Sequence, residues 1–94
     1  MMSKLCRRFI VSGTVQGVFF RDNARKKAIE LNISGWVKNV NDGSVELLAC
    51  GESDHIQTLE RWLWEGPTKA HVTAVDKKSH PWEEHADFII CDSN

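Results

Sequence analysis

The sequence predicts an α+β sandwich, a mostly antiparallel sheet carrying two helices on one face. Three observations predict it. Short apolar segments of period two alternate with two segments of helical period. Asn41-Asp42-Gly43 lies between two strand-like segments, and Asp-Gly tolerates the positive φ that tight hairpins demand. Gly66-Pro67 then stops the second helical segment.

Leu5 to Ser12 reads as the first strand, with Leu5, Arg7, Phe9 and Val11 on one face and Cys6, Arg8, Ile10 and Ser12 on the other. Phe9 and Val11 are core candidates. Arg21 to Leu31 reads as a helix whose apolar stripe is Ala24, Ala28 and Leu31, with Asn32 as its terminator. Gly35 to Val40 is the second strand and Ser44 to Cys50 its return, broken by Gly51. On the return, Val45 and Leu47 alternate with Glu46 and Leu48. Ser53 or Asp54 caps a second helix running to about Glu65 and burying Ile56, Leu59 and Leu63. His71 to Asp76 is a fourth strand, Ser79 to Glu84 a loop around His80-Pro81, and Asp87 to Cys91 a short last strand.

The order is therefore β-α-β-β-α-β-β, a ferredoxin-like split β-α-β arrangement with a short fifth strand. A right-handed crossover makes the first two strands parallel, with the third between them and antiparallel to both. The end of strand one, the start of helix one and the end of strand two then share one rim of the sheet. The turn at 14–20, Arg21 and Asn39 are expected to meet there. Cys6 and Cys50 are expected to be neighbours at the other end, either bridged under oxidation or as two unpaired thiols in or beside the sheet.

Residues 1–94 read as one domain. The chain is 41% hydrophobic and 27% charged, as in ordinary soluble globular domains. A net charge of -1 argues against a nucleic-acid partner, which needs a basic face. No apolar run approaches membrane-spanning length, and Arg7 and Arg8 interrupt the first apolar segment, so no membrane partner is expected and the chain reads as cytoplasmic. With no evident apolar patch, a monomer is the default. The three cysteines, Cys6, Cys50 and Cys91, lack C-x-x-C spacing, so they read as small apolar fillers rather than zinc ligands.

The chemistry concentrates in Gly13-Thr14-Val15-Gln16-Gly17-Val18-Phe19-Phe20-Arg21. A strand, a glycine-bearing turn and a helix start make a cradle for phosphate, because the turn amides and the helix N-terminus present positive charge. Arg21 adds a planar fork of donors suited to phosphoryl oxygens. Gly17 lets the loop bend so that its amides converge, Gly13 lets the chain leave the strand sharply, and Phe20 anchors the helix start in the core.

Gly13-x-Val15-Gln16-Gly17-Val18-x-Phe20-Arg21 resembles the first signature of the acylphosphatases, and Gly35-Trp36-Val37-Lys38-Asn39 with Gly43-x-Val45 and Gly51 resembles the second. Gly66-Pro67, Ala70 and Val72 also fit that family's pattern, so the resemblance spans nearly the whole chain. It implies hydrolysis of the carboxyl–phosphate bond of small acyl phosphates to carboxylate and inorganic phosphate, without metal or other cofactor. It implies that Arg21 binds the phosphoryl group and that Asn39 holds the attacking water. Val15, Gln16, Gly17, Val18, Phe19 and Phe20 would form the phosphate-binding loop. Three features stand out against the pattern: Val40 follows the asparagine where many relatives carry a hydroxyl, Phe19 is bulky where others have glycine although both occur in such loops, and Cys91-Asp92-Ser93-Asn94 lacks a basic or aromatic ending.

The remaining polar and aromatic residues have plainer readings. His55, His71, His80 and His85 are scattered; His80 and His85 flank Glu83 and Glu84 but read as solvated surface rather than metal ligands. Trp36 reads as packed beside the second motif. Trp62 and Trp64 cannot both face inward from one helix, so one is partly exposed or covered by the 79–85 loop. Arg25-Lys26-Lys27 reads as a solvated helix face, with steering of anionic substrate as the sharper alternative. The rival to an enzyme is a non-enzymatic ferredoxin-like module that binds an anion or a protein, since one fold serves many functions.

Overall fold

The computed structural model describes residues 3–91; the atypical tail residues Asp92, Ser93 and Asn94 lie outside them. The elements are β1 (Lys4–Thr14), α1 (Phe20–Glu30), β2 (Ser34–Asn39), β3 (Val45–Glu52), α2 (Ser53–Glu65), β4 (His71–His80) and β5 (Phe88–Ile90). The five strands form one sheet in the order β4-β1-β3-β2-β5. β3 lies between β1 and β2 and is antiparallel to both, as the crossover rule requires. β4 pairs antiparallel with β1, and β5 pairs parallel with β2.

The expected stripes build the core. Phe9 and Val11 from β1, Val45 and Leu47 from β3, and Ile56, Leu59 and Leu63 from α2 are fully buried in one cluster. Ala24 and Ala28 bring α1 close to the sheet, and Leu31 packs at its margin. Each large side chain buried this way contributes about 1.5–3 kcal/mol. Asn32 ends α1 with φ 54, in the left-handed conformation expected of a terminator.

Several boundaries differ from the sequence reading. β1 does not stop at Ser12. It continues through a bulge between Ser12 and Gly13, where Gly13 pairs with Val72. Gly13 therefore serves close strand approach rather than exit, since a Cβ there would run into the His71 carbonyl. Gly51 does not break β3; it pairs with Leu5, and the ladder reaches Glu52. β4 runs to His80 instead of Asp76, so Ser79 and His80 belong to a strand and not to a loop. Asp76 to Ser79 are exposed on an edge strand, where ladder bonds to β1 hold a segment with no apolar alternation. Helix α1 starts at Phe20, one residue early. The N-cap of α2 is Glu52, neither Ser53 nor Asp54, and the Ser53 amide instead donates to the Ser3 carbonyl at 2.8 Å.

Cys6 and Cys50 lie directly opposite in the β1–β3 register and are joined by a disulfide. They pack with Leu48 and Trp36 in a second cluster apart from the main core. The bridge spans a sequence separation of 44 residues, so its loss frees a long loop in the unfolded chain. Reduction is expected to cost about 2–4 kcal/mol, read as a lower urea midpoint. The same midpoint with and without reductant would refute that.

The segment 81–87 carries the chain from one sheet edge to the other. It passes the disulfide, where the Glu83 amide donates to Cys6 Sγ at 3.3 Å. The Glu83 carboxylate lies 2.8 Å from His80 Nε2 and 3.0 Å from His85 Nε2. Those two imidazoles hold Glu83 below the usual carboxylate range. The histidines are therefore engaged with one carboxylate, where the sequence reading left them individually solvated.

Candidate active site

At the end of β1 the chain turns through Val15 to Phe19 and enters α1. Gly17 at φ 75 and Phe19 at φ 63 both take left-handed backbone, which reverses the chain within a few residues. Among the described residues, the amides of Gln16, Gly17, Val18 and Phe19 donate to no protein acceptor. Phe20 is buried and its ring lies 5.5 Å from that of Trp62, so the first helical residue is pinned in the core as expected. Asn23 closes the first turn, with its amide and its side-chain nitrogen both donating to the Phe19 carbonyl at 3.1 and 2.9 Å. Arg21 therefore leaves from a fixed base, and it takes part in none of the described ion pairs.

Asn39 is the last residue of β2, opposite Val45. The hairpin behind it is closed by Val40 N–H to the Ser44 carbonyl at 2.9 Å. Asp42 accepts from the Ser44 hydroxyl at 2.6 Å and the Ser44 amide at 2.9 Å. These two bonds lower the Asp42 pKa below the usual carboxylate value.

Gln16 connects the two halves. Its side-chain nitrogen donates to the carbonyls of Val40 at 2.7 Å and Ser44 at 2.9 Å, tying the loop after β1 to the β2–β3 hairpin. Sequence reasoning placed Gln16 in the loop for its backbone and missed this clamp, because nothing local says which distant carbonyls need a donor. Gln16→Leu is expected to lower kcat/KM of the catalysed reaction about tenfold, with KM rising, because the two carbonyls keep their backbone donors but lose the cross-link to the loop, which drifts from Asn39. Steady-state kinetics check this, and unchanged constants would remove the clamp from the account.

Arg21 and Asn39 line the same cleft, of roughly 280 Å³, with Val15, Gly17, Phe19 and Phe20. Asp22 and Ile90 complete the wall, and neither was expected from sequence. Ile90 arrives through the parallel pairing of β5 with β2, which no local signal announces. Gln16 and Val18 do not line the cleft; Gln16 clamps the hairpin, and Val18 packs against the core. The Oδ1 atom of Asn39 is buried and has no hydrogen-bond partner among the described residues. An unpaired buried acceptor costs about 1–3 kcal/mol, so this oxygen suits a donor that enters from the cleft.

Other polar groups lie elsewhere. Glu52, Asp54 and His55 are the described trio whose ligand atoms fall within 4.8 Å of one another. They sit at the far end of the sheet from the cleft, where His55 faces Glu52 at 3.7 Å across the start of α2. Of the basic run on α1, Arg25 donates to the Phe88 carbonyl at 3.1 Å and Lys27 faces Glu30 at 3.7 Å. Trp62 packs on the core while Trp64 is exposed, in a shallow surface groove with Gln57, Glu60, Arg61 and Lys77 rather than under the 79–85 segment. No helix among the described residues is long and apolar enough to cross a membrane.

A family profile described as acylphosphatase matches residues 7–90. A curated acylphosphatase of Coxiella burnetii is 52% identical over 88 residues, covering 94% of this chain and 93% of the relative. A solved acylphosphatase structure from Coxiella burnetii superposes with a TM-score of 0.91 at 51% identity, covering 94% of this chain and 93% of that one. The crystal structure of acylphosphatase from Bacillus subtilis gives 0.89 at 38% identity, covering 93% and 98%.

Proposed function

The chain belongs to the acylphosphatase family, and on that footing we propose that Arg21 and the free loop amides hold the phosphoryl group while Asn39 orients the attacking water. The activity itself is that of an acylphosphatase, hydrolysis of the carboxyl–phosphate bond in an acyl phosphate. The non-enzymatic module gives way to it. One observation carries the residue assignment: Arg21 and Asn39, from two separate elements, line one cleft together with Val15, Gly17 and Phe19 of the loop.

The chemistry needs little from the protein beyond position. A carboxylate is a good leaving group and departs without a proton. The site must grip the non-bridging oxygens and hold a water in line with the bond that breaks. The guanidinium fork of Arg21 and the amides from Gln16 to Phe19 supply the grip. The Asn39 carboxamide is neutral and takes no proton. Its buried Oδ1 accepts a hydrogen bond from the water, leaving an oxygen lone pair free for phosphorus. Water oxygen bonds to phosphorus as the phosphorus–acyl oxygen bond breaks. The water proton passes to a phosphoryl oxygen of the substrate, and the products are carboxylate and inorganic phosphate.

We assign the enzyme to the cytoplasm as a one-domain monomer, in keeping with its composition. In that reducing compartment Cys6 and Cys50 are thiols, and the bridge is the oxidised form. The direct test is hydrolysis of benzoyl phosphate in the presence of a metal chelator. The wild type is expected to exceed the buffer rate by several orders of magnitude, as about 10⁶-fold or more is usual for enzymes. A rate equal to buffer would contradict the reading.

A further inference from the structure

We propose that Phe19 seats the acyl half of the substrate, so that the enzyme favours acyl phosphates with aromatic or bulky apolar acyl groups over acetyl-sized ones. The inference rests on the phosphoryl-site reading above and extends it to the part of the substrate that leaves. Phe19 is 71% exposed, the most open of the large exposed apolar side chains, and it lines the cleft beside Arg21. Its backbone has φ 63, a conformation that disfavours any side chain with a Cβ. Glycine would meet the backbone demand with no loss of core packing. The phenyl ring held there belongs to neither core cluster.

The reaction geometry gives the ring a use. Displacement at phosphorus is in line, so the acyl group lies on the side away from the water held at the buried Asn39 oxygen. It therefore lies away from β2, and on the cleft the exposed apolar side chain that belongs neither to β2 nor to its neighbour β5 is Phe19. Val15 and Phe20, which also line the cleft, are committed to the core. Ile90, 36% exposed on the same cleft, stands on β5 beside the strand that carries Asn39, which leaves Phe19 as the open apolar surface for the acyl group. An aromatic acyl group can stack on this ring, whereas an acetyl group brings little apolar area to it.

The test compares kcat/KM for benzoyl phosphate and acetyl phosphate in the wild type, Phe19→Asn and Phe19→Leu. Asparagine accepts left-handed backbone while removing the apolar ring, and leucine keeps an apolar side chain. The ratio of the two kcat/KM values cancels the intrinsic reactivity of each substrate when variants are compared with wild type. Phe19→Asn is expected to lower the benzoyl-to-acetyl ratio about tenfold, and Phe19→Leu to keep it within about threefold. A ratio in Phe19→Asn within about twofold of wild type would overturn the inference while leaving the phosphoryl site intact. A wild type that hydrolyses neither compound would overturn the phosphoryl-site reading and this inference together.

Discussion

Arg21→Ala is expected to lower kcat/KM for benzoyl phosphate by about 10³ and to weaken competitive inhibition by inorganic phosphate in parallel. The magnitude follows from two charge-assisted bonds at about 1.5–3 kcal/mol each, with each 1.36 kcal/mol a factor of ten. Both effects appear together because the guanidinium binds the non-bridging oxygens, which substrate, transition state and free phosphate share. Arg21→Lys is expected to recover part of the phosphate affinity but little of the rate, since an ammonium keeps the charge without the fork. The fold tolerates the change because Arg21 joins no described ion pair and the helix start is anchored by Phe20 against Trp62. Equal phosphate inhibition in wild type and Arg21→Ala would remove the arginine from the phosphoryl site.

Asn39→Ala is expected to separate the two measurements. Turnover falls by about 10²–10³, the usual cost of one preorganised polar group at a reacting centre. Inhibition by phosphate stays within about threefold, because Asn39 acts on the nucleophile rather than on the phosphoryl oxygens. The same substitution deletes a buried acceptor that has no protein partner, so the thermal midpoint is expected to fall no lower than that of the wild type. A parallel loss of phosphate affinity, or an intact kcat, would contradict the assigned role. Asn39→Asp is expected to lose both activity and phosphate affinity, since a second anion would face the substrate across a cleft of roughly 280 Å³.

The parts of the fold carried by apolar periodicity and turn chemistry are legible in the sequence. Phe9, Val11, Val45, Leu47, Ile56, Leu59 and Leu63 all enter the core as their spacing indicates. The crossover rule alone places β3 between β1 and β2, and from that follows the meeting of Arg21 and Asn39 at one rim. What was not legible depends on distant partners. β4 extends to His80 because β1 offers a ladder, even though the sequence reading ends the strand at Asp76 and starts a loop at Ser79. Gly13 and Gly51 look like breaks, yet each sits inside a strand because a neighbour passes close or pairs in register. The Gln16 clamp and the arrival of Ile90 depend on carbonyls and strands far along the chain. The Cys6–Cys50 pairing falls between these cases: topology makes them neighbours, and the register makes them direct partners.

The claim beneath the whole account is that a guanidinium and a carboxamide from different elements serve one anion together with the loop amides. Titration with inorganic phosphate, followed by ¹H–¹⁵N correlation spectra, tests it residue by residue. The amides of residues 16–21, the Arg21 Nε–H and the Asn39 side-chain NH₂ are expected to shift along one shared binding isotherm. Phosphate that moves the loop amides but leaves the Asn39 side chain still, or that shifts resonances only at the opposite end of the sheet near His55, would contradict it.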